Sequence, residues 1–258
     1  MERKVYVVGF GGVSPLGPPR DMFQNLLDGT SGIKKNTFGT YCTVNKDFKP
    51  TTVKLGDTIA TEVRGFHPED WMDKKEIHRL DPFTQFALAA AQQAVQQSGL
   101  TITDSIRDSM AIVIGTGLIG LTHLEYQYRR LLNLGADKVS ALLVPTIMAN
   151  ATLFAVSKHF RCCGPSLAPT AACATGLIAI GEAFYMIQSG RADSALAGAT
   201  EAVITPLAMA TFGNMKALCP DTENPQHRSR PFDLHRNGFV MGECAGVVFL
   251  VSEEFAEK

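Results

Sequence analysis

Pro169-Thr170-Ala171-Ala172-Cys173-Ala174-Thr175-Gly176 runs directly into Leu177-Ile178-Ala179-Ile180-Gly181-Glu182-Ala183-Phe184-Tyr185-Met186-Ile187. The second part reads as a helix over residues 174–188, and nearly every face of it is apolar or small. A helix of that kind is buried on all sides. One sheet covers only one side, so the stretch predicts a layered α/β fold with a second layer that the remaining segments do not obviously supply. The first part puts a thiol, Cys173, at the helix start among small residues, with Gly176 relieving crowding in the first turn. Unpaired N–H groups and the positive end of the helix dipole favour negative charge there, on the sulfur or on an oxyanion beside it. Taken alone, such a cysteine fits a buried structural thiol as well as a nucleophile.

On either side, short β-rich apolar runs alternate with helix-like stretches. Residues 4–10, 110–115, 194–200 and 245–251 read as strands, and 81–98, 121–132, 145–159 and 174–188 read as helices. That alternation predicts an α/β fold around a mixed, largely parallel sheet. The stretch 36–68 reads as an insertion without a clear pattern, and 221–230 as a polar loop. No internal repeat or low-complexity linker interrupts the chain.

With 258 residues, 45% of them hydrophobic and 19% charged, the chain is long enough for a well-filled core, and disorder is excluded. A formal net charge of -1 leaves no global basic field for nucleic acid or an anionic membrane, so an acidic partner must dock on a local patch. No apolar run is long enough to span a bilayer. The strand-like run begins almost at the first residue, which leaves no room for a leader. The six cysteines, Cys42, Cys162, Cys163, Cys173, Cys219 and Cys244, form no C-x-x-C pair and no regular framework, so reduced thiols in a cytoplasm or an organelle matrix are expected, and zinc is not. At the other end, Ser252-Glu253-Glu254 looks like the start of a helix that the chain barely enters, which predicts the first part of a longer protein.

One competing motif needs weighing. Gly115-Thr116-Gly117-Leu118-Ile119-Gly120 is a literal G-x-G-x-x-G between a predicted strand and a predicted helix, with Asp137 downstream, as in dinucleotide-binding folds. In those folds the acidic residue ends a second strand, whereas residues 132–138 read as a helix end and loop.

Several motifs, in order along almost the whole chain, resemble the elongating β-ketoacyl-[acyl-carrier-protein] synthases of the thiolase-like superfamily. They are Val5-Tyr6-Val7-Val8-Gly9, Val13-Ser14-Pro15-Leu16-Gly17, Arg79-Leu80-Asp81-Pro82-Phe83-Thr84-Gln85-Phe86-Ala87-Leu88-Ala89-Ala90, Gly115-Thr116-Gly117 and Gly164-Pro165-Ser166. The series continues through Ala172-Cys173-Ala174-Thr175-Gly176, Thr205-Pro206-Leu207, Ser229-Arg230-Pro231-Phe232-Asp233 and Asn237-Gly238-Phe239-Val240-Met241-Gly242-Glu243. The resemblance implies a thiolase-like fold of two similar α/β halves stacked in five layers. It makes this chain, residues 1–258, the first half, and implies a homodimer.

Carried over residue by residue, the resemblance makes Cys173 the acceptor of an acyl chain from an acyl carrier protein, its backbone N–H one oxyanion donor, Leu118 an apolar gate and Phe212 an aromatic near the site mouth. Lys75, Arg79, Lys138 and Lys216 fall at or beside basic positions that meet the acidic carrier protein. No cofactor or metal is implied. The family's two catalytic histidines belong to the second half, so His67, His78, His123, His159, His227 and His235 are read as surface or structural. Two positions depart from the family pattern: Ala171 where Thr is usual, and Cys244 where Gly is usual. The alternatives are a non-catalytic relative serving as a scaffold or chain-length subunit, which typically lacks the nucleophile, and a degradative thiolase, whose motifs are less similar to these.

Overall fold

In the computed structural model, which describes residues 3–37, 40–44, 50–54, 57–220 and 222–256, strand β1 (Val5–Val13) leads through helix α1 (Pro19–Leu27) to four short strands. These are β2 (Lys34–Thr37), β3 (Thr40–Val44), β4 (Pro50–Lys54) and β5 (Asp57–Thr61). Helices α2 (Lys74–Arg79), α3 (Pro82–Ser98) and α4 (Asp104–Ser109) precede strand β6 (Met110–Gly115), and α5 (Leu121–Leu134), α6 (Leu143–Ile147) and α7 (Ala151–Phe160) lead on to β7 (Ser166–Leu167). The chain continues through α8 (Thr175–Gln188), β8 (Ser194–Glu201), α9 (Pro206–Asn214), β9 (Met241–Gly242), β10 (Cys244–Ser252) and α10 (Glu253–Ala256).

The main sheet has the order β1-β10-β8-β6-β7. Every residue of β6 is buried, as expected of a continuous apolar run covered on both faces. β6 pairs in parallel with β7 and β8, while β10 runs antiparallel to both β8 and β1. The sheet is therefore mixed but half antiparallel, rather than largely parallel. Hydropathy alternation marks which segments are strands and carries no record of their direction.

Helix α3 covers one face. Phe83, Phe86, Leu88 and a run of alanines pack on Met110, Ile112, Ile114, Leu196, Val247 and Phe249. Burial of each large side chain stabilises the fold by about 2 kcal/mol. The helix lies so close to the edge strand that a Cβ on Gly9 or Gly11 would collide with the carbonyls of Ala94 or Ala90. Helix α8 covers the other face through Ala179, Ala183, Met186 and Ile187, against Ala111, Val113, Ala195, Ala197 and Leu250. Its opposite side is open, with Leu177 79% and Tyr185 63% exposed. The expected burial on all sides thus holds on one side only, because no described element lies over the second.

The helix expected over 145–159 is two helices, α6 and α7, separated at 148–150. The Ile147 carbonyl, which a continuous helix would direct to the residue four positions on, accepts instead from Gly120 N at 3.1 Å, and Thr146 Oγ1 donates to the Arg79 carbonyl at 3.0 Å. Tertiary hydrogen bonds pull this turn out of line. The stretch 36–68, part of which lies outside the described residues, forms a β3–β4 hairpin and supplies β5, which pairs with β2 and, in parallel, with β9. Within 221–230 the described residues hold a short 3-10 turn, Pro225–His227; Asp221 lies outside them.

Asp81 caps α3 and is fully buried. Its Oδ1 accepts from Phe83 N at 3.3 Å and its Oδ2 from His123 N at 2.8 Å, tying the start of α5 to the start of α3. Burial pushes its pKa up to about 7 against these hydrogen bonds, with Glu243 and Glu201 adding in the same direction. The native state therefore holds this proton at pH values where the unfolded chain, with an aspartate near 3.9, has released it. Stability contributed at this site is present at low pH and is lost as pH rises from about 4 to 7.

Two measurements follow from this packing. Gly11→Val should destabilise by about 3 kcal/mol, read as a lower urea midpoint, because backbone of α3 occupies the space a side chain needs. Asp81→Asn keeps the capping acceptor without the charge, so its urea midpoint should fall less than that of the parent between pH 4.5 and pH 8. Parallel curves for the two proteins would show that the buried proton is not at Asp81.

Candidate active site

Cys173 sits in a 3-10 turn, Ala172–Ala174, that feeds directly into α8. Ala174 is the N-cap of α8 and makes no side-chain capping bond. The preceding residue, Ala172, has φ +48°, a left-handed conformation that costs an L-residue roughly 1 kcal/mol. Thr175 holds it there. Its buried hydroxyl accepts from Ala171 N and donates to the Ala172 carbonyl, both at 2.8 Å. Hydrogen bonding beneath the thiol thus comes from Thr175, with Ala171 contributing its backbone alone. The Cys173 side chain is exposed.

The thiol opens on a cavity of about 450 Å³ lined mostly by apolar side chains. Leu118, Phe212, Phe239, Val240 and Met241 form its walls, and Ala199, Glu201 and Cys244 its sheet side. Phe212 and Phe239 meet edge to face, with centroids 5.8 Å apart. Met241 is held by pairing with Ala60 of β5, so the segment without a clear pattern supports one wall of the cavity from behind. Glu243, next along, accepts from Val63 N at 3.2 Å and Ile204 N at 3.4 Å and locks that wall to the segment after β8.

Glu201 ends β8 at the cavity edge. Its carboxylate accepts from Thr116 Oγ1 at 2.8 Å, Gly117 N at 2.9 Å and Leu118 N at 3.2 Å. Burial raises its pKa and these three bonds oppose the rise. The interaction also disposes of the dinucleotide reading. The N–H groups of Gly117 and Leu118, which a phosphate would need, are taken by a carboxylate, and Asp137 lies in a 3-10 turn after α5 rather than at a strand end.

Of the residues singled out in the sequence, Cys173, Leu118 and Phe212 share the cavity. Lys75 and Arg79 are exposed on α2, Lys138 on the turn after α5 and Lys216 on the turn after α9, four positions on three separate elements. No histidine is among the residues lining the cavity. His123 is partly buried and His159 exposed; desolvation lowers the pKa of both, with Glu76 opposing the shift at His159. Thr175, Glu201 and Asp81 were not singled out. Thr175 and Asp81 stood inside quoted motifs, and Glu201 follows the strand predicted over 194–200, but only the fold brings that strand end to the Gly115–Gly117 loop. Cys244 was noted for its departure from a family pattern; its place in the cavity wall needed the fold. Among the described residues no group of three or more His, Cys, Asp or Glu could hold a metal ion, and no helix is long and apolar enough to cross a membrane.

Comparison with known proteins places this geometry. Residues 2–256 match the family described as "Beta-ketoacyl synthase, N-terminal domain". The chain is 36% identical to a 3-oxoacyl-[acyl-carrier-protein] synthase 2 of Synechocystis sp. over 99% of its own length and 59% of the relative's. It is 38% identical to the protein of the same name from Staphylococcus aureus, with the same two coverages. The chain thus spans about three fifths of the length of these relatives. A solved structure described as a type II PKS acyl-carrier protein in complex with its ketosynthase superposes with a TM-score of 0.73 at 27% identity, covering 100% of this chain and 60% of that one. The α/β architecture is the thiolase-like one that ketosynthases share, and the chain belongs to the β-ketoacyl synthase family, of which it carries the N-terminal domain.

Proposed function

We propose that the protein containing this chain is a 3-oxoacyl-[acyl-carrier-protein] synthase of fatty acid biosynthesis, an acyltransferase with Cys173 as its nucleophile. The observation that carries this reading is an exposed thiol at an uncapped helix start, opening on an apolar cavity of about 450 Å³. Cys173 attacks the carbonyl of an acyl-carrier thioester, the carrier thiol leaves, and an acyl-enzyme remains. The oxyanion formed in that step is met by the Cys173 N–H and the dipole of α8. A malonyl-carrier thioester then loses carbon dioxide, and its enolate carbon attacks the acyl-enzyme carbonyl. The new carbon–carbon bond forms as the bond to Cys173 sulfur breaks, and a 3-oxoacyl thioester two carbons longer leaves on the carrier.

In this scheme Leu118 and Phe212 bound the room for the acyl tail, and Lys75, Arg79, Lys138 and Lys216 face the acidic carrier protein. The groups that assist decarboxylation come from outside this chain, in keeping with a cavity that no described histidine lines. A homodimer in a reducing cytoplasm or organelle matrix completes the reading.

Incubation with a fatty acyl-carrier-protein thioester should add the acyl mass to the protein, mapped by peptide analysis to Cys173. Cys173→Ala should abolish the added mass while leaving the urea midpoint within about 1 kcal/mol of the parent, since the side chain is exposed. Undiminished acylation of that variant would overturn the assignment.

A further inference from the structure

The turn that presents Cys173 rests on the loop after β6. A side chain on Gly115 would collide with the Pro169 carbonyl and with Thr175, and a Cβ on Gly117 would stand 3.1 Å from the Ala172 carbonyl oxygen. Bare backbone at residues 115–117 is thus the seat of Ala172, the residue of φ +48° directly before the thiol. Thr175 restrains Ala172 from within its own turn; the loop bounds it from outside.

Glu201 holds that loop in place. It ends β8, which pairs with β6 as far as Ala199 and with β10 at Glu201 itself. Thr200, just before it, donates its hydroxyl to the Phe83 carbonyl at 2.7 Å. From this fixed base one carboxylate oxygen accepts from Thr116 Oγ1 and the other from both Gly117 N and Leu118 N. A Cβ on Gly117 would also stand 2.9 Å from the second oxygen, so the carboxylate and the Ala172 carbonyl close on the same point of the loop. The path from Glu201 to the thiol has two contacts, carboxylate to Gly117 and Gly117 to Ala172. We propose that Glu201 is a positioning residue for the acylation of Cys173, acting through the 116–118 loop on Ala172 to keep the thiol aligned with the thioester carbonyl. It moves no proton in that step; its contribution is backbone geometry. The inference rests on Cys173 as the acyl acceptor.

The test uses the full-length protein with octanoyl- and palmitoyl-carrier thioesters, following loading of Cys173 by intact mass against carrier concentration. Glu201→Ala should lower the maximal loading rate by about tenfold or more, since misplacing a reacting atom by about 1 Å costs on the order of a hundredfold. The half-saturating carrier concentration should stay within about twofold, because the loss falls on the chemical step and not on binding. Alkylation of Cys173 by iodoacetamide, which needs only an exposed thiolate, should stay within about threefold of the parent rate. Glu201→Gln keeps an acceptor for the Gly117 and Leu118 N–H groups and can donate to Thr116, so it should recover loading to within about threefold of the parent. Thr116→Val removes one of the three bonds and should slow loading by about threefold, which keeps the test usable if the alanine variant folds poorly. Parent-rate loading in Glu201→Ala or Thr116→Val overturns the positioning role. So does a Glu201→Gln variant as slow as Glu201→Ala, or an equal fall of loading and alkylation, which would mark a general loss of the fold. No loading of the parent protein at either length overturns the acceptor assignment, and this inference with it.

Discussion

The seat of α8 on the sheet is the contact on which the rest of the site depends. Ala179 and Ala183 give the helix a flat, small face that lies directly on Ala111, Val113, Ala195 and Ala197. Its N-terminal turn is brought in as closely. A side chain on Gly115, at the end of β6, would collide with the Pro169 carbonyl and with Thr175. That closeness fixes where the turn bearing Cys173 can be, at the ends of β6 and β8, where loops rather than strands surround it. Ligands of α/β sheets characteristically bind at such strand ends. A larger residue on either surface would lift the helix and with it the thiol.

A second constraint is electrostatic. Asp81, Glu201 and Glu243 are carboxylates placed in protein interior, each spending its oxygens on backbone N–H groups of loops that meet around the cavity. Burial raises the pKa of all three. A charge held in such surroundings costs free energy that its hydrogen bonds only partly offset. What the carboxylates provide is position: each joins two segments distant in sequence, and together they hold the Gly115–Leu118 loop, the start of α5 and the segment after β8 in one arrangement around the thiol.

The side of α8 turned away from the sheet is open and apolar. Leu177, Ile178 and Tyr185 project from it, and the chain covers about three fifths of the length of its curated relatives. An apolar helix face of this kind is buried in a finished fold. The all-round apolarity of residues 174–188 is thus a property of the helix's full environment, of which the sheet supplies one side.

The sequence by itself determined the class of fold and most of the strand and helix segments, because these are written in local patterns: a buried run at 110–115 and an apolar helix at 174–188. Through resemblance it also marked Cys173, at the start of that helix, as the candidate nucleophile. It also marked Leu118 and Phe212, through motif order rather than through any physical signal at those positions. Only the tertiary structure decided the direction of β10, the break between α6 and α7, the role of β5 behind the cavity wall, and the meeting of Glu201 with the Gly117 and Leu118 N–H groups. Each of those depends on residues tens of positions apart becoming neighbours, and hydropathy or motif spacing holds no information about pairing at that range. Cys244 shows the division most plainly. In the sequence it is an unusual side chain at a position suited to glycine; in the fold it lines the Cys173 cavity, on the strand paired with Glu201.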